Sequence, residues 1–113
     1  MKLLSVFCKS AQMASKVTSA ALYRLIDRDQ PTLIFDEADR FLRNNYDLNG
    51  VLNAGHARFD VKVIINQKQS DGNWKPKEFP VWCAKAIAGI GAQEDTPVNR
   101  SITIPLRRKL VSE

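Results

Sequence analysis

The sequence predicts a mixed α/β fold that carries an inserted β-hairpin, and three observations lead there. A compact apolar run, Thr32-Leu33-Ile34-Phe35, follows Pro31 and closes on three acidic residues within four positions, as a short strand buried on both faces would. Ahead of it, Ala21, Leu22, Leu25 and Ile26 form an apolar stripe at helical spacing. Beyond it, from Val61, apolar residues recur with period two and are followed by an Asp-Gly turn signal. Interleaved helix and strand patterns favour an α/β arrangement, and the period-two pair reads as an insertion into it.

Taken in order, Leu3, Leu4 and Phe7 fall at helical spacing, so residues 1–11 are expected to be the remainder of a helix. Thr18 has the character of an N-cap for the helix bearing the Ala21 to Ile26 stripe, which must stop before Pro31. The strand at 32–35 delivers Asp36 and Glu37 to its carboxyl end, the rim where ligands bind in open α/β sheets because loops and helix N-termini converge there. A short helix is expected over 47–54, with Leu48, Val51 and Leu52 inward and Gly55 closing it. Val61, Val63 and Ile65 then alternate with Lys62, Ile64 and Asn66; Asp71-Gly72 turns the chain, and 74–79 returns. Pro76 and Pro80 confine that returning arm to an edge. Residues 84–90 read as another buried strand, with Gly89 and Gly91 allowing a close approach or a tight exit. Ile102, Ile104 and Leu106 alternate with Thr103 and Pro105, which predicts a last strand over 101–106 near an edge.

A chain of 113 residues that is 44% hydrophobic supports one core and one domain. No apolar block is long enough to span a bilayer, and the opening residues lack a secretory leader's cleavage signal. A cytoplasmic protein without a membrane partner is expected. Cys8 and Cys83 lie far apart, so both are expected as buried thiols and not as a disulfide or metal site. The net charge of +5 points to an acidic partner, of which nucleic acid is the commonest. Residues 1–57 carry seven basic and six acidic side chains, whereas 58–113 carry ten and six, so an anion-attracting face belongs to the second half.

The sharpest chemical feature is Leu33-Ile34-Phe35-Asp36-Glu37-Ala38-Asp39. A buried strand ending in Asp-Glu sets one carboxylate where it can hold a hydrated Mg²⁺ and the next where it can orient water toward a phosphoryl group, the logic of a Walker B motif. The competing reading is an acidic loop start with an N-capping Asp. His56 follows a helix-ending glycine with no second histidine or cysteine nearby, which fits a turn-stabilising role. Ser101 has no nucleophile-elbow context, so a Ser-His hydrolase is set aside.

Four runs occur in a fixed order: Pro31 through Asp39, Leu52-Asn53-Ala54-Gly55-His56, Lys85-Ala86-Ile87-Ala88-Gly89-Ile90-Gly91, and Asn99 through Arg108. Together they cover nearly the whole chain, and the ordered set resembles a bacterial and phage family of AAA-like P-loop NTPase domains, found beside primase-like and helicase modules in mobile elements. The resemblance implies a partial three-layer P-loop sheet with mostly parallel core strands. It also implies that Asp36 serves Mg²⁺, that Glu37 activates water, and that Arg100 resembles an arginine finger acting on a neighbouring subunit's nucleotide. A surface salt bridge is the other reading of Arg100. The hairpin is placed like the pre-sensor hairpin of AAA-type helicases. Its Lys62, Lys68, Lys75 and Lys77 could track a phosphate backbone and Trp74 could stack on bases, or the lysines simply solvate an exposed ribbon.

The chain departs from that family in one essential respect, because no G-x-x-x-x-G-K-[ST] phosphate loop occurs in these residues. Mg²⁺ and ATP are therefore expected for intact relatives, and weak nucleotide binding for this chain. The opening Met1-Lys2-Leu3-Leu4 resembles the turn of helix that follows such a loop, which suggests a missing N-terminal half. The strand before that loop would lie between 84–90 and 101–106, so either these two pair directly or a partner chain, such as another copy, supplies the element. Gly89 to Gly91 also offers no polar sensor side chain. The leading expectation is an incomplete ATPase domain; the alternative is a non-catalytic module that binds nucleic acid or another subunit.

Overall fold

The computed structural model of the chain describes residues 1–59, 61–91 and 98–112. Its elements run α1 (Lys2–Phe7), β1 (Ala11–Ala14), α2 (Ser19–Asp29), β2 (Thr32–Phe35), α3 (Ala38–Phe41), α4 (Tyr46–Ala54), β3 (Lys62–Lys68), β4 (Trp74–Pro80) and β5 (Lys85–Ile87). They build a three-stranded sheet in the order β1-β2-β5 and a separate two-stranded sheet, β3-β4. The first is parallel throughout, with Leu33 opposite Gln12 on one side and Lys85 on the other. The second is an antiparallel hairpin. The fold is thus mixed α/β, as predicted.

β2 is the middle strand, and its side chains explain why. Leu33 and Phe35 enter the main apolar cluster with Leu22, Tyr23 and Ile26 of α2, Leu48, Val51 and Leu52 of α4, and Phe79, Val81 and Cys83. Ile34, which alternation directs to the opposite face, is equally inaccessible to solvent. A strand with no polar side to offer water is stable only with neighbours on both edges and cover on both faces.

α2 begins as its capping residue dictates: Thr18 Oγ1 accepts a hydrogen bond from the Ala21 amide at 3.2 Å, satisfying one of the unpaired donors of the first turn. It stops at Gln30, which turns into the left-handed region (φ 46°) before Pro31. α4 is capped by Asn45, whose side-chain oxygen accepts from the Leu48 amide at 3.2 Å. The helix ends at Gly55. A Cβ there would overlap the Val81 carbonyl oxygen and lie 2.8 Å from Lys85 Nζ, so α4 and the segment leading into β5 approach through backbone. Lys85 Nζ donates to the Gly55 carbonyl at 2.8 Å and to the Cys83 carbonyl at 3.1 Å.

Several sequence expectations need correction. The first helix stops at Phe7, short of residue 11, and buries none of its side chains; Leu3 and Phe7 find no core to enter. The following segment is instead β1, which lies along the edge of β2. The strand expected over 84–90 is confined to Lys85–Ile87. The strand expected over 101–106 does not form: these residues are exposed and belong to no ladder. A strand is a property of a pair, and Pro105 removes one donor that pairing would use. Direct pairing of that segment with β5 is therefore overturned, and among the described residues β5 is paired with β2 alone. Of the two thiols Cys83 is buried, but Cys8 is only partly so.

No helix among the described residues is long and apolar enough to cross a membrane.

Candidate functional site

β2 runs out at Phe35, and the chain there turns abruptly because Glu37 adopts the left-handed conformation (φ 54°, ψ 40°), which residues with a side chain seldom take. The Glu37 amide donates to Asp36 Oδ1 at 3.0 Å, which fixes the turn and engages one oxygen of that carboxylate. Both acidic side chains are thereby held outside the core at the carboxyl rim of the parallel sheet, open to solvent. Glu37 also pairs with Arg40 at 3.2 Å one helical turn on, in an exposed ion pair that contributes little to stability.

The segment after β5 completes the rim. The Ala88 amide donates to the Phe35 carbonyl and the Ala38 amide to the Ala88 carbonyl, both at 2.8 Å. The Ile90 amide donates to Asp39 Oδ1 at 3.1 Å. These bonds stitch residues 88–90 to the loop after β2 and enclose a shallow cavity of about 200 Å³ lined by Asp36, Glu37, Asp39, Ala88, Gly89 and Ile90. Asp39, which composition alone groups with the other two acids, fastens the far wall. Among the described residues no three metal-ligating side chains converge, so the rim offers a pair of carboxylates. That donor set fits a hydrated Mg²⁺, which takes one or two carboxylates and keeps several waters. The sequence holds no G-x-x-x-x-G-K-[ST] run to cradle phosphates beside these carboxylates.

Arg100 does not line this cavity. Its Nη1 donates to the Asn53 carbonyl at 3.2 Å and lies 3.1 Å from His56 Nδ1, at the carboxyl end of α4. His56 Nδ1 is in turn 2.8 Å from the Asn53 carbonyl. The Asn53 carbonyl can only accept, so it takes a hydrogen bond from His56 Nδ1–H as well as from the Arg100 guanidinium. His56 thus belongs to the turn that closes α4.

The hairpin residues divide between two faces. Cross-strand partners share a face, so the register places Lys62, Lys68 and Trp74 with Ile64, Glu78 and Pro80, and places Lys75 and Lys77 with Val63, Ile65 and Phe79. The second face turns toward the helices at its base, where the Phe79 ring stacks obliquely on Tyr23 with centroids 4.8 Å apart and Lys77 Nζ lies 4.8 Å from the Phe79 ring. On the first face Lys62 pairs with Glu78 at 2.7 Å, and Trp74 is 66% exposed. At the hairpin base the structure gathers Arg58, Phe59 and Trp82 with Lys62, a group that sequence reasoning missed because its members are separated by the whole hairpin.

Comparison with protein-family models, with curated proteins and with solved structures gives no match.

Proposed function

We propose that the chain is the Walker B-bearing part of an AAA-like P-loop ATPase domain, in which Asp36 holds Mg²⁺ and Glu37 orients the attacking water. The observation that carries this reading is the position of the acidic pair, at the carboxyl end of the middle parallel strand, open to solvent beside a cavity. The free oxygen of Asp36 is the ligand position, since its partner oxygen is engaged by the Glu37 amide. Glu37 is held forward by the left-handed turn, where a carboxylate can accept a proton from water. A divalent cation held by Asp36 would supply positive charge against a phosphate group. Phosphate-holding groups come from outside these residues, and Arg100 at the end of α4 is offered to a neighbouring subunit.

The test is a titration with ATP and Mg²⁺. Affinity in the micromolar range that is lost on Asp36→Ala supports the reading, and Glu37→Gln should bind yet not turn over. Binding that is indifferent to both Mg²⁺ and Asp36 removes it.

A second reading, a non-catalytic module that binds nucleic acid or another subunit, is favoured by the hairpin, whose lysines and Trp74 are exposed. Salt-dependent binding of single strands without any requirement for Asp36 is its signature.

A further inference from the structure

The outward face of the hairpin has an aromatic group at each end. At its base, a cavity of about 400 Å³ is lined by Arg58, Phe59, Lys62, Pro80 and Trp82, with Gln30 and Val61. Phe59 is 83% exposed, an unusual position for a phenylalanine that no core explains. The Arg58 guanidinium carbon lies 4.9 Å from the Trp82 ring centroid and 5.4 Å from that of Phe59. Both are cation–π distances, so the cation braces two rings that would otherwise be free to turn. Among the described residues no acidic side chain pairs with Arg58.

Lys62 and Pro80 of this cavity face each other across the ladder, and the same side of the ribbon continues through Ile64 and Glu78, then Asn66 and Pro76, to Lys68 and Trp74. Six residues of antiparallel strand span about 20 Å. That is the length of about six nucleotides at the stacked spacing of about 3.4 Å. Lys62 and Lys68 stand along this side, and among the described residues of the ladder the carboxylate on it, Glu78, is neutralised by Lys62.

We infer that single-stranded nucleic acid lies along this outward face, with bases stacking on Phe59 and Trp82 at the hairpin base and on Trp74 near its tip, while Arg58 and Lys68 meet phosphates. The inference deepens the nucleic-acid reading above and rests on it. It moves the contact surface away from Lys75 and Lys77, whose face is turned toward α2 and α4 at the base. A ligand needs both a π-face and an anionic backbone to use such a surface, and single strands have both at a spacing that tolerates any sequence. A duplex hides its base faces.

The experiment uses the full chain, a labelled oligothymidylate of about twelve nucleotides and the matching duplex at low salt, with tryptophan fluorescence as a second readout. Phe59→Ala and Trp74→Ala alter exposed side chains, and each should weaken single-strand binding at least about fivefold. Trp74→Phe should restore most of it, and Lys75→Ala with Lys77→Ala should change it less than either ring removal. Wild-type fluorescence should be quenched by the single strand and not by the duplex. Unaltered binding by both ring variants, together with loss on changing Lys75 and Lys77, overturns the face assignment and leaves the nucleic-acid reading standing. Equal affinity for duplex, or full competition by polyglutamate, shows a surface that recognises charge alone and also overturns the inference. If the wild-type chain binds no oligonucleotide, the inference and the reading beneath it fall together.

Discussion

Replacing Gly55 by alanine should destabilise the fold through sterics alone. The glycine closes α4 with φ −79°, a conformation open to any residue, so backbone strain plays no part. The added Cβ would overlap the Val81 carbonyl oxygen and stand 3.0 Å from the Val81 carbonyl carbon, against an optimum of about 3.5–4.0 Å between carbons. The α4 terminus and the segment entering β5 must therefore separate by about 0.5 Å or more, and both walls of the contact are backbone, which yields less readily than a side chain. The Lys85 ammonium, bonded to the Gly55 carbonyl at 2.8 Å, is displaced in the same step. Overpacking of this sort costs about 1–3 kcal/mol, and reduced freedom of the unfolded chain returns about 0.4–1 kcal/mol. The net loss should be about 1.3 kcal/mol, a sizeable fraction of a small domain's stability. In urea, with a denaturant slope of about 1–1.5 kcal/mol/M for a chain of this size, the unfolding midpoint should fall by about 1 M. The internal control is Gly50→Ala, at an exposed position within α4 where a Cβ meets nothing within 4 Å; it should gain about 0.5–1 kcal/mol. A Gly55→Ala midpoint at or above that of the wild type refutes the close approach, and equal loss from both variants refutes its specificity.

Two further outcomes follow from buried polar groups. Asn49 is buried, and its Nδ2 donates to the Leu42 carbonyl at 3.0 Å, tying the loop after α3 to α4; Asn49→Ala should cost about 1–3 kcal/mol by leaving that carbonyl without its donor, and an unmoved urea midpoint counts against it. Burial lowers the pKa of Lys85 from its ordinary 10.5 and raises that of Cys83 from 9.0. Between the lowered Lys85 value and 10.5 the unfolded chain holds the extra proton, so this lysine makes stability rise with pH. Above 9.0 the folded chain keeps a thiol proton that the unfolded chain has lost, so Cys83 makes stability fall. Lys85→Met removes the rising contribution and also the lysine charge that holds the Cys83 thiol down, so under reducing conditions its urea midpoint should decline more steeply than the wild type's above pH 9.0; parallel pH profiles would contradict burial of the ammonium.

Where the sequence could be read, the signal was local and strong. Thr32 to Phe35 announced a strand buried on both faces because Leu33, Ile34 and Phe35 offer no side chain to water, and Thr18 and Gly55 marked helix ends by their own chemistry. β1 was missed because Ala11-Gln12-Met13-Ala14 has no β-branched residue and no alternation. It is a strand by virtue of the β2 edge beside it. The converse holds at 101–106, where good alternation found no edge. The acidic rim was legible, but the separate duty of Asp39 was not, since its partner is the Ile90 amide 51 residues away. The hairpin lysines were legible as a basic ribbon. Only the register shows that they divide between two faces, and only the closure of the hairpin base brings Arg58 and Phe59 to Trp82.

The signs of charge at the rim and on the hairpin make the two proposed binding surfaces separable by one reagent. Asp36 and Glu37 stand together at the sheet's carboxyl end, and among the described residues the cation paired with them is Arg40, on Glu37, so a bare triphosphate should meet repulsion there and approach behind a divalent cation. On the outward face of the hairpin, Arg58, Lys62 and Lys68 stand, among the described residues, with the one carboxylate of Glu78, and an anion needs no metal to be attracted. Chelation of divalent ions should therefore abolish any binding at the rim and leave the hairpin's binding intact. Raising salt should erode the hairpin's binding steeply through counterion release. A ligand whose binding requires Mg²⁺ yet is insensitive to Asp36→Ala, or one that survives chelation yet ignores Phe59 and Trp74, would belong to neither surface.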